Sequence, residues 1–413
     1  MATLFMNIKA LVNVRERSSL LRGAALKQLP CIDDAYLVVE GKTITEYGTM
    51  RDCRYKGSDF TEHHDLSGQY ILPSWCDSHT HLVFGGSRES EFVDKIKGFT
   101  YESIAAKGGG ILASARRLGN MSEDELFSES LPRLHEVIRN GTGAIEIKSG
   151  YGLTVESELK ILRVIRRLRQ AVNIPVKATF LGAHALPAAF KDDREGYISL
   201  IIDEMLPAIA REQLAQYIDV FCEKGFYTPE ETERICIAGR HFGLKPKIHA
   251  NQLHVSGGVQ AGVRCGAVSV DHLECMDEDA IRVLAASNTM GTLLPTAAFF
   301  LRMPFQPART LIDAGCAIAL ASDYNPGSSP SGNMNFVVSL SCIQMKMLPE
   351  EAINAATING AFAMESDHEV GSITRGKLAN LILTKKIPSL NYLPYSFGTS
   401  SIDRVMVAGD WIY

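Results

Sequence analysis

The central part of the chain alternates short apolar runs with stretches of helical periodicity. GTGAIEIKSGYG precedes TVESELKILRVIRRLRQ, and IDVFCEK precedes TPEETERICIAGRHFG. Further apolar runs follow at similar spacing, namely PKIHANQ, AVSVDHLE, TMGTLLP and AIALASDYNPG. Each run has the length of a buried strand, and each following stretch repeats its apolar residues with the spacing of a helix. This alternation predicts an α/β fold, a TIM (β/α)8 barrel over residues 71–363. A doubly wound sheet is the alternative fold, but no GxGxxG follows the first run.

The two ends of the chain show a different pattern. Residues 1–70 include AYLVVEGKTITEYG, and residues 364–413 include VGSITRGKLANLILTK and RVMVAGDWIY. Alternating apolar and polar positions between turn residues are typical of strands and hairpins. Neither end is long enough to enclose a core alone, whereas strands from both ends could pair. We therefore expect a small discontinuous β-sandwich domain built from residues 1–70 and 364–413.

Composition and charge narrow the functional classes. The 413 residues are 46% hydrophobic and 22% charged, as in ordinary globular enzymes. The net charge is -5 and no basic run is interleaved with aromatic residues, so we expect a small-molecule substrate and no nucleic-acid partner. Nine cysteines without a CxxC pair indicate free thiols in a reducing, cytoplasmic compartment. The N-terminus has neither a signal-peptide pattern nor a membrane-spanning run, so no membrane partner is expected. Among oligomers, a homodimer is the commonest expectation.

Two histidines end the first apolar run of the barrel region. In ILPSWCDSHTHLVF, one residue separates His79 from His81. Successive side chains of a strand point to opposite faces, so these two imidazoles share a face and could bind one metal ion. The alternative is an incidental pair in which one ring hydrogen-bonds a backbone carbonyl.

Polar residues also follow the ends of later runs. They are His184, His249, His272 and Asp323. Barrel active sites are built at the carboxyl ends of the strands, so we expect these side chains to meet there. Histidines from two strands and a carboxylate from the last would supply nitrogen and oxygen ligands for zinc or a similar divalent ion. Each histidine taken alone could instead have a buried, hydrogen-bonded role.

Five motifs together resemble one enzyme family. HTHLVFGGSRESEF, FTYESIAAKGGGI, EIKSGYGL, FLGAHALP and SDYNPGSSP are similar, in this order, to the imidazolonepropionase family of the amidohydrolase superfamily. The HxH pair occurs in many amidohydrolases, whereas SGYGL, GAHALP and SDYNPGS in sequence are specific. The resemblance covers nearly the whole chain. It implies a metal-dependent hydrolase that opens the cyclic amide of 4-imidazolone-5-propanoate to N-formimidoyl-L-glutamate in histidine degradation.

The resemblance also implies which residues form the site. One zinc or iron ion would be held by His79, His81, His249 and Asp323. Substrate contacts would come from Arg88, Tyr151, His184, Gln252 and Ser328, and Asn325 and Gly327 would join Tyr151 around the product.

The chemistry of the substrate agrees with this assignment. The guanidinium of Arg88 presents a planar fork that suits the propionate arm, although a salt bridge to Glu89 or Glu91 is the alternative. A hydroxyl of Tyr151 or Tyr101 could add a donor. His184 could donate a hydrogen bond to the substrate oxygen.

Proton transfer during hydrolysis needs a group that can take and return a proton. The amide of Gln252 has no titrating proton, and Asn251 stands where the family motif carries an acidic residue, so neither can act as a base. We therefore assign proton transfer to Asp323, with His272 orienting the water or stabilising charge. With His184, these are the candidate catalytic residues.

Alternatives remain for the metal number and for the reaction. Some amidohydrolases bridge two metals with a carbamylated lysine, but Lys148 alternates with Glu146 and fits a structural ion pair beside a single metal. A purine or pyrimidine aminohydrolase (deaminase) would use the same barrel and metal with less need of Arg88. A scaffold that has lost its metal and acts by association is the non-enzymatic alternative, and the complete ligand set argues against it.

Overall fold

The computed structural model describes residues 2–99 and 109–412. Its strands are β1 Ala2–Val12, β2 Cys31–Glu40, β3 Thr43–Thr49, β4 Glu62–Asp65, β5 Tyr70–Pro73, β6 Trp75–Thr80, β7 Thr142–Lys148, β8 Val176–Ala183, β9 Tyr217–Cys222, β10 Lys245–Ala250, β11 Ser269–His272, β12 Met290–Leu293, β13 Ile318–Leu320, β14 Leu381–Thr384, β15 Ile402–Val407 and β16 Asp410–Ile412. Tyr101, a candidate substrate contact, lies outside the described residues.

The helices alternate with the strands of the central region. They are α1 Glu89–Ile96, α2 Ile111–Gly119, α3 Glu123–Arg139, α4 Val155–Ala171, α5 Arg194–Leu200, α6 Leu206–Glu212, α7 Pro229–His241, α8 Gly258–Arg264, α9 Glu278–Ala285, α10 Pro295–Leu301, α11 Ala308–Asp313, α12 Met334–Met345, α13 Pro349–Ala356, α14 Ile358–Ala363 and α15 Tyr392–Tyr395. A π-helical turn, Ile201–Met205, joins α5 to α6.

The predicted TIM barrel is confirmed. Strands β6 to β13 pair in parallel in sequence order. The last strand returns to the first where the backbone N–H of Asp323 donates to the carbonyl of His79 at 3.0 Å and that of His81 donates to Tyr324 at 2.9 Å. The carboxyl ends of distant strands therefore meet at one mouth, as barrel closure requires.

Strands from both termini form the second sheet. Its order is β16-β15-β14-β5-β1-β2-β3, with β4 pairing to β1, and β14 pairs antiparallel with β5. The expected discontinuous β domain is thus present. Its strands form one continuous mixed sheet rather than two separate sheets of a sandwich, because β5 and β14 hydrogen-bond the N-terminal strands to the C-terminal ones. The limits of the domains at 70 and 363 stay a prediction.

Apolar packing fixes the barrel against its helices. Thr154 caps the start of α4, because its hydroxyl accepts the N–H of Ser157, and the helix buries residues such as Ile161 and Ile165 against the strands. Within residues 2–99 and 109–412, no helix has the length and apolarity to cross a membrane.

Gly360 lets α14 pack closely on β6, the strand that carries His79. A Cβ at Gly360 would overlap the carbonyl oxygen of Cys76, which is backbone and cannot move aside. Gly360→Ala should therefore lower the free energy of unfolding by about 1–3 kcal/mol, as overpacking does. The matched control is Gly119→Ala in α2, where the nearest atom, Ser157 Oγ, lies 3.8 Å from a new Cβ. Thermal unfolding of both variants checks this, and equal midpoints would contradict it.

Candidate metal centre and substrate cavity

Three histidines and an aspartate converge at the mouth of the barrel. The Nε2 atoms of His81 and His249 are 3.4 Å apart, and Oδ1 of Asp323 lies 3.6 Å from Nε2 of His79 and 3.7 Å from Nε2 of His81. All four side chains are buried. His79 and His81 share one face, as the alternation of β6 predicts. His272 also approaches His79 and Asp323, with ligand atoms within 4.8 Å of one another.

The far sides of two imidazoles are held by carboxylates. Nδ1 of His79 lies 2.7 Å from Asp271 Oδ2, and Nδ1 of His249 lies 2.9 Å from Asp219 Oδ2. A carboxylate accepts, so each Nδ1 carries the hydrogen and each Nε2 presents a lone pair to the centre. Burial, and then nearby cationic groups, hold the pKa of His79 well below its usual value and keep the ring neutral.

The donor set fits a divalent cation. Nε2 of His79 is buried and has no hydrogen-bond partner among the residues that the structure describes. Imidazole lone pairs and a carboxylate oxygen facing one another are the ligands that zinc and iron accept. An ion would also satisfy the orphaned nitrogen, whose burial otherwise costs free energy.

A charged network inside the barrel supports the carboxylates. Nζ of Lys148 lies 2.7 Å from Glu146, 2.8 Å from Asp219 and 3.4 Å from Asp271, and Lys247 pairs with Glu146. Burial opposes ionisation of Asp271, but Lys148 and Lys247 outweigh it and lower its pKa. Lys148 therefore lies in an ion-pair network, in agreement with the structural role expected from the sequence.

Asp219 and Asp271 were not identified as site residues from the sequence. The available signal was a charged residue inside the otherwise apolar runs IDVFC and VSVDH. A charge within a buried strand needs a partner, which points to the barrel interior. The partner itself, an imidazole from another strand, cannot be read from one segment.

The loop after β13 fixes Asp323. Ser328 Oγ donates to Asp323 Oδ2 at 3.1 Å, and Asn325 Nδ2 donates to the Asp323 carbonyl and to Ser328 Oγ, each at 2.7 Å. The side-chain oxygen of Asn325 accepts the N–H groups of Gly327 and Ser328. Asn325 and Ser328, expected as substrate contacts, thus also order the loop that carries the carboxylate.

His272 has a buried carboxylate partner that the sequence analysis missed. Its Nδ1 lies 3.4 Å from Glu274 Oε1, and Gln306 Nε2 donates to the same oxygen at 3.0 Å. Burial disfavours the charged imidazole, but Glu274 outweighs burial and raises the pKa of His272. Glu274 therefore favours the protonated form of His272.

The two residues that follow β10 have different surroundings: Asn251 is buried in the protein and Gln252 lines the cavity. Asn251 is fully buried, has φ +54°, and donates to the Cys275 carbonyl, so its amide faces away from the cavity. Its left-handed backbone suits asparagine better than most residues. Gln252, the next residue, lines the cavity.

A cavity of about 640 Å³ lies above the centre. The predicted site residues that line it are His81, Arg88, Tyr151, His184, His249, Gln252, His272, Asp323, Asn325, Gly327 and Ser328. His79 is fully buried and is not part of this lining. Arg88 lies at the mouth, as expected, but Nε and Nη2 also donate to Glu91 Oε2 at 3.0 and 2.7 Å. Arg88 thus lines the cavity, where a substrate contact was predicted, and it also forms a salt bridge to Glu91, which was the alternative prediction.

The SGYGL loop is held by a buried glutamate. Glu158 accepts the backbone N–H groups of Gly150, Gly152 and Leu153 at 3.1, 2.7 and 2.9 Å, which fixes the backbone on both sides of Tyr151. The Tyr151 ring lies 5.8 Å from that of His81.

His184 is held in one tautomer. Its Nδ1 lies 3.0 Å from the carbonyl of Gly150, an acceptor, so Nδ1 carries the hydrogen. Burial, then the neighbouring His249, lowers the pKa of His184 to about 3. In this neutral tautomer Nε2 has a free lone pair and is able to accept a hydrogen bond, whereas the predicted donation from His184 to a substrate oxygen requires a hydrogen on Nε2 and stays a prediction.

Comparison with known sequences identifies close relatives. Residues 70–412 match the amidohydrolase family. The imidazolonepropionase of Christiangramia forsetii is 53% identical over 413 residues, covering all of both chains, and that of Flavobacterium johnsoniae is 54% identical with the same coverage. The imidazolonepropionase of Alkaliphilus metalliredigens is 37% identical over 98% of this chain and 96% of its own.

Solved structures share the fold at low identity. A triazine hydrolase variant superposes with a TM-score of 0.76 at 14% identity, covering 99% of this chain and 94% of its own. An adenosine deaminase from Xanthomonas campestris with bound zinc has a TM-score of 0.71 at 16% identity, with coverage of 99% and 92%. At these identities the likeness concerns the fold.

Asp271 should control metal affinity through His79. In Asp271→Asn the neutral amide is a weaker acceptor for Nδ1, so we expect affinity for added zinc to fall roughly 10- to 100-fold. Chelator competition measures this in the folded protein. Asp313→Asn, on the exposed end of α11, is the control. Equal zinc affinity in both variants would show that Asp271 does not orient a ligand.

Proposed function

This chain belongs to the imidazolonepropionase family of the amidohydrolases, and we infer that it hydrolyses the cyclic amide C–N bond of 4-imidazolone-5-propanoate to N-formimidoyl-L-glutamate. The observation that carries this inference is full-length similarity joined to a complete donor set at the barrel mouth, beside an arginine at the cavity entrance. The enzyme is thus a hydrolase of C–N bonds.

We propose that one zinc or iron ion is held by His79, His81, His249 and Asp323. A bound divalent ion lowers the pKa of water from about 16 to about 7 and polarises a carbonyl. The carboxylates of Asp271 and Asp219 would orient the Nε2 atoms of His79 and His249 toward that ion. The single-ion proposal is supported by the pairing of Lys148 with three carboxylates.

The chain itself supplies the proton path. Asp323 is buried and lines the cavity beside the proposed ion, so its carboxylate is placed to take the proton of the water. As the water oxygen adds to the carbonyl carbon and the C–N bond breaks, the ring nitrogen takes that proton. His272, backed by Glu274, stabilises the negative charge that develops on the carbonyl oxygen.

Neutral groups position the ring. His184 accepts a ring N–H at Nε2, and the Gln252 amide offers both a donor and an acceptor. The Tyr151 hydroxyl adds another polar group. These contacts orient the amide, while Arg88 binds the propionate at the other end of the cavity.

A purine or pyrimidine deaminase is the competing function. Adenosine and guanine deaminases share the fold, yet they are only 15–16% identical to this chain, whereas relatives at 51–54% identity are imidazolonepropionases. Arg88 also favours a substrate with a carboxylate. The nine cysteines, all free thiols, support a cytoplasmic location, and a homodimer remains our proposal.

Activity is tested with the metal-loaded protein and a substrate panel. We expect the ultraviolet absorbance of 4-imidazolone-5-propanoate to fall faster than its spontaneous decay, while purine and pyrimidine aminohydrolase substrates stay unchanged. Asp323→Asn serves as the inactive control. Unchanged absorbance with fully loaded wild type would refute the substrate, and deamination of a purine would support the alternative.

Gly327 should set the position of the Arg88 guanidinium. A Cβ at Gly327 would overlap Nη1 of Arg88, a flexible group that moves aside without unfolding the chain. Both Gly327→Ala and Arg88→Met should therefore raise KM, the latter by roughly 10- to 100-fold, the range of a lost charge-assisted bond. Steady-state kinetics checks this, with Arg139→Met, an exposed position at the end of α3, as control. Unchanged KM in Gly327→Ala would place the propionate elsewhere.

A further inference from the structure

Arg88 is paired with Glu91, and this pair offers a substrate carboxylate no net positive charge. Both Nε and Nη2 of Arg88 donate to one oxygen of Glu91, and both side chains are largely shielded from water, at 12% and 13% exposure. The pair is neutral overall, and Glu91 repels a second carboxylate. A weakly hydrated site for an anion therefore needs another cation nearby.

Lys95 lies in the right place to provide that charge. It lines the same cavity from the last turn of α1, and its Nζ donates to the carbonyl of Gly327 at 3.1 Å. Nζ also lies 5.8 Å from the centre of the Phe300 ring. Within the described ranges, no carboxylate oxygen lies within 4.0 Å of Nζ, and the charge of Glu91 acts on Lys95 from a longer distance.

Gly327 joins the two cations. Its missing side chain leaves room for Nη1 of Arg88, while its carbonyl holds Nζ of Lys95. Both cations thus contact one residue of the loop that also carries Asp323. Burial, followed by the charge of Arg88, lowers the pKa of Lys95, as is usual for a cation beside another cation.

We propose that Lys95 is a substrate-binding residue that supplies the net positive charge for the carboxylate arm, next to the neutral Arg88–Glu91 pair. This inference rests on the proposed function. Glu91 then positions the Arg88 fork, and Lys95 provides the long-range attraction. The substrate carboxylate would then be an anionic partner for Lys95, whose direct contacts in the protein are a carbonyl and an aromatic ring.

Arg302 also lines the cavity among the residues that the structure describes. It follows α10 with a left-handed backbone, φ +57°, and its side chain is exposed. Water and salt screen an exposed charge, whereas Lys95 is half-buried and held beside Arg88. We therefore expect Lys95 to dominate.

The test compares Lys95→Met with Lys97→Met, which removes the same charge from an exposed position at the end of α1. We expect Lys95→Met to raise KM for 4-imidazolone-5-propanoate roughly 5- to 50-fold, with kcat within about twofold of wild type. Lys97→Met should match wild type. The rise of KM with ionic strength should be weaker in Lys95→Met than in wild type.

A competitive inhibitor in which a primary amide replaces the carboxylate of the substrate tests the role of charge, because it has nearly the same shape and no negative charge. Its inhibition constant should be the same for wild type and Lys95→Met. The inference would be overturned by an unchanged KM in Lys95→Met, or by an equal loss of affinity for the acid and the amide in that variant. A larger rise of KM in Arg302→Met than in Lys95→Met would also overturn it. Failure of the proposed function is distinct, because wild type would then not turn over the acid at all.

Discussion

The site depends on buried carboxylates that hold the far nitrogens of two histidines. Asp271 and Asp219 accept from Nδ1 of His79 and His249, which leaves the Nε2 lone pairs converging on one point. Burial disfavours these charged carboxylates, and Lys148, with Lys247 acting on Asp271 and His249 acting on Asp219, offsets that cost. The ion-pair network of the barrel interior and the metal centre are therefore one electrostatic unit, in which a change in either part alters the other.

Barrel closure places Asp323, the fourth proposed ligand. The first and last strands meet where the N–H of Asp323 donates to the His79 carbonyl, and Asp77 accepts from the N–H and hydroxyl of Ser322 at 2.9 and 2.6 Å. The next residues, through Ser328, order Asp323 and reach both cations at the mouth. One short loop thus links the proposed metal ligand Asp323 to the end of the cavity where we propose that the substrate carboxylate binds.

The sequence predicted the fold and most of the candidate site because both follow local rules. Alternating strands and helices indicate a barrel, and a barrel brings strand ends together, so His249 and Asp323 could be placed near His79 without coordinates. Particular side-chain contacts were not predictable. Asp271 and His79 lie on strands that are distant in sequence, while the contacts of Glu274 with His272 and of Glu158 with the Tyr151 loop depend on how the chain turns after a strand. The tautomer of His184 also depends on one backbone carbonyl. The single continuous terminal sheet depends on the pairing of β5 with β14, which alternation alone does not specify.

The central claim is that one ion is bound by three imidazoles and a carboxylate. Metal analysis combined with X-ray absorption spectroscopy of the purified protein tests it most directly. The account predicts one zinc or iron ion per chain, with a first shell of nitrogen and oxygen that includes imidazole scattering. Two ions per chain, or a shell of sulfur without imidazole, would contradict it.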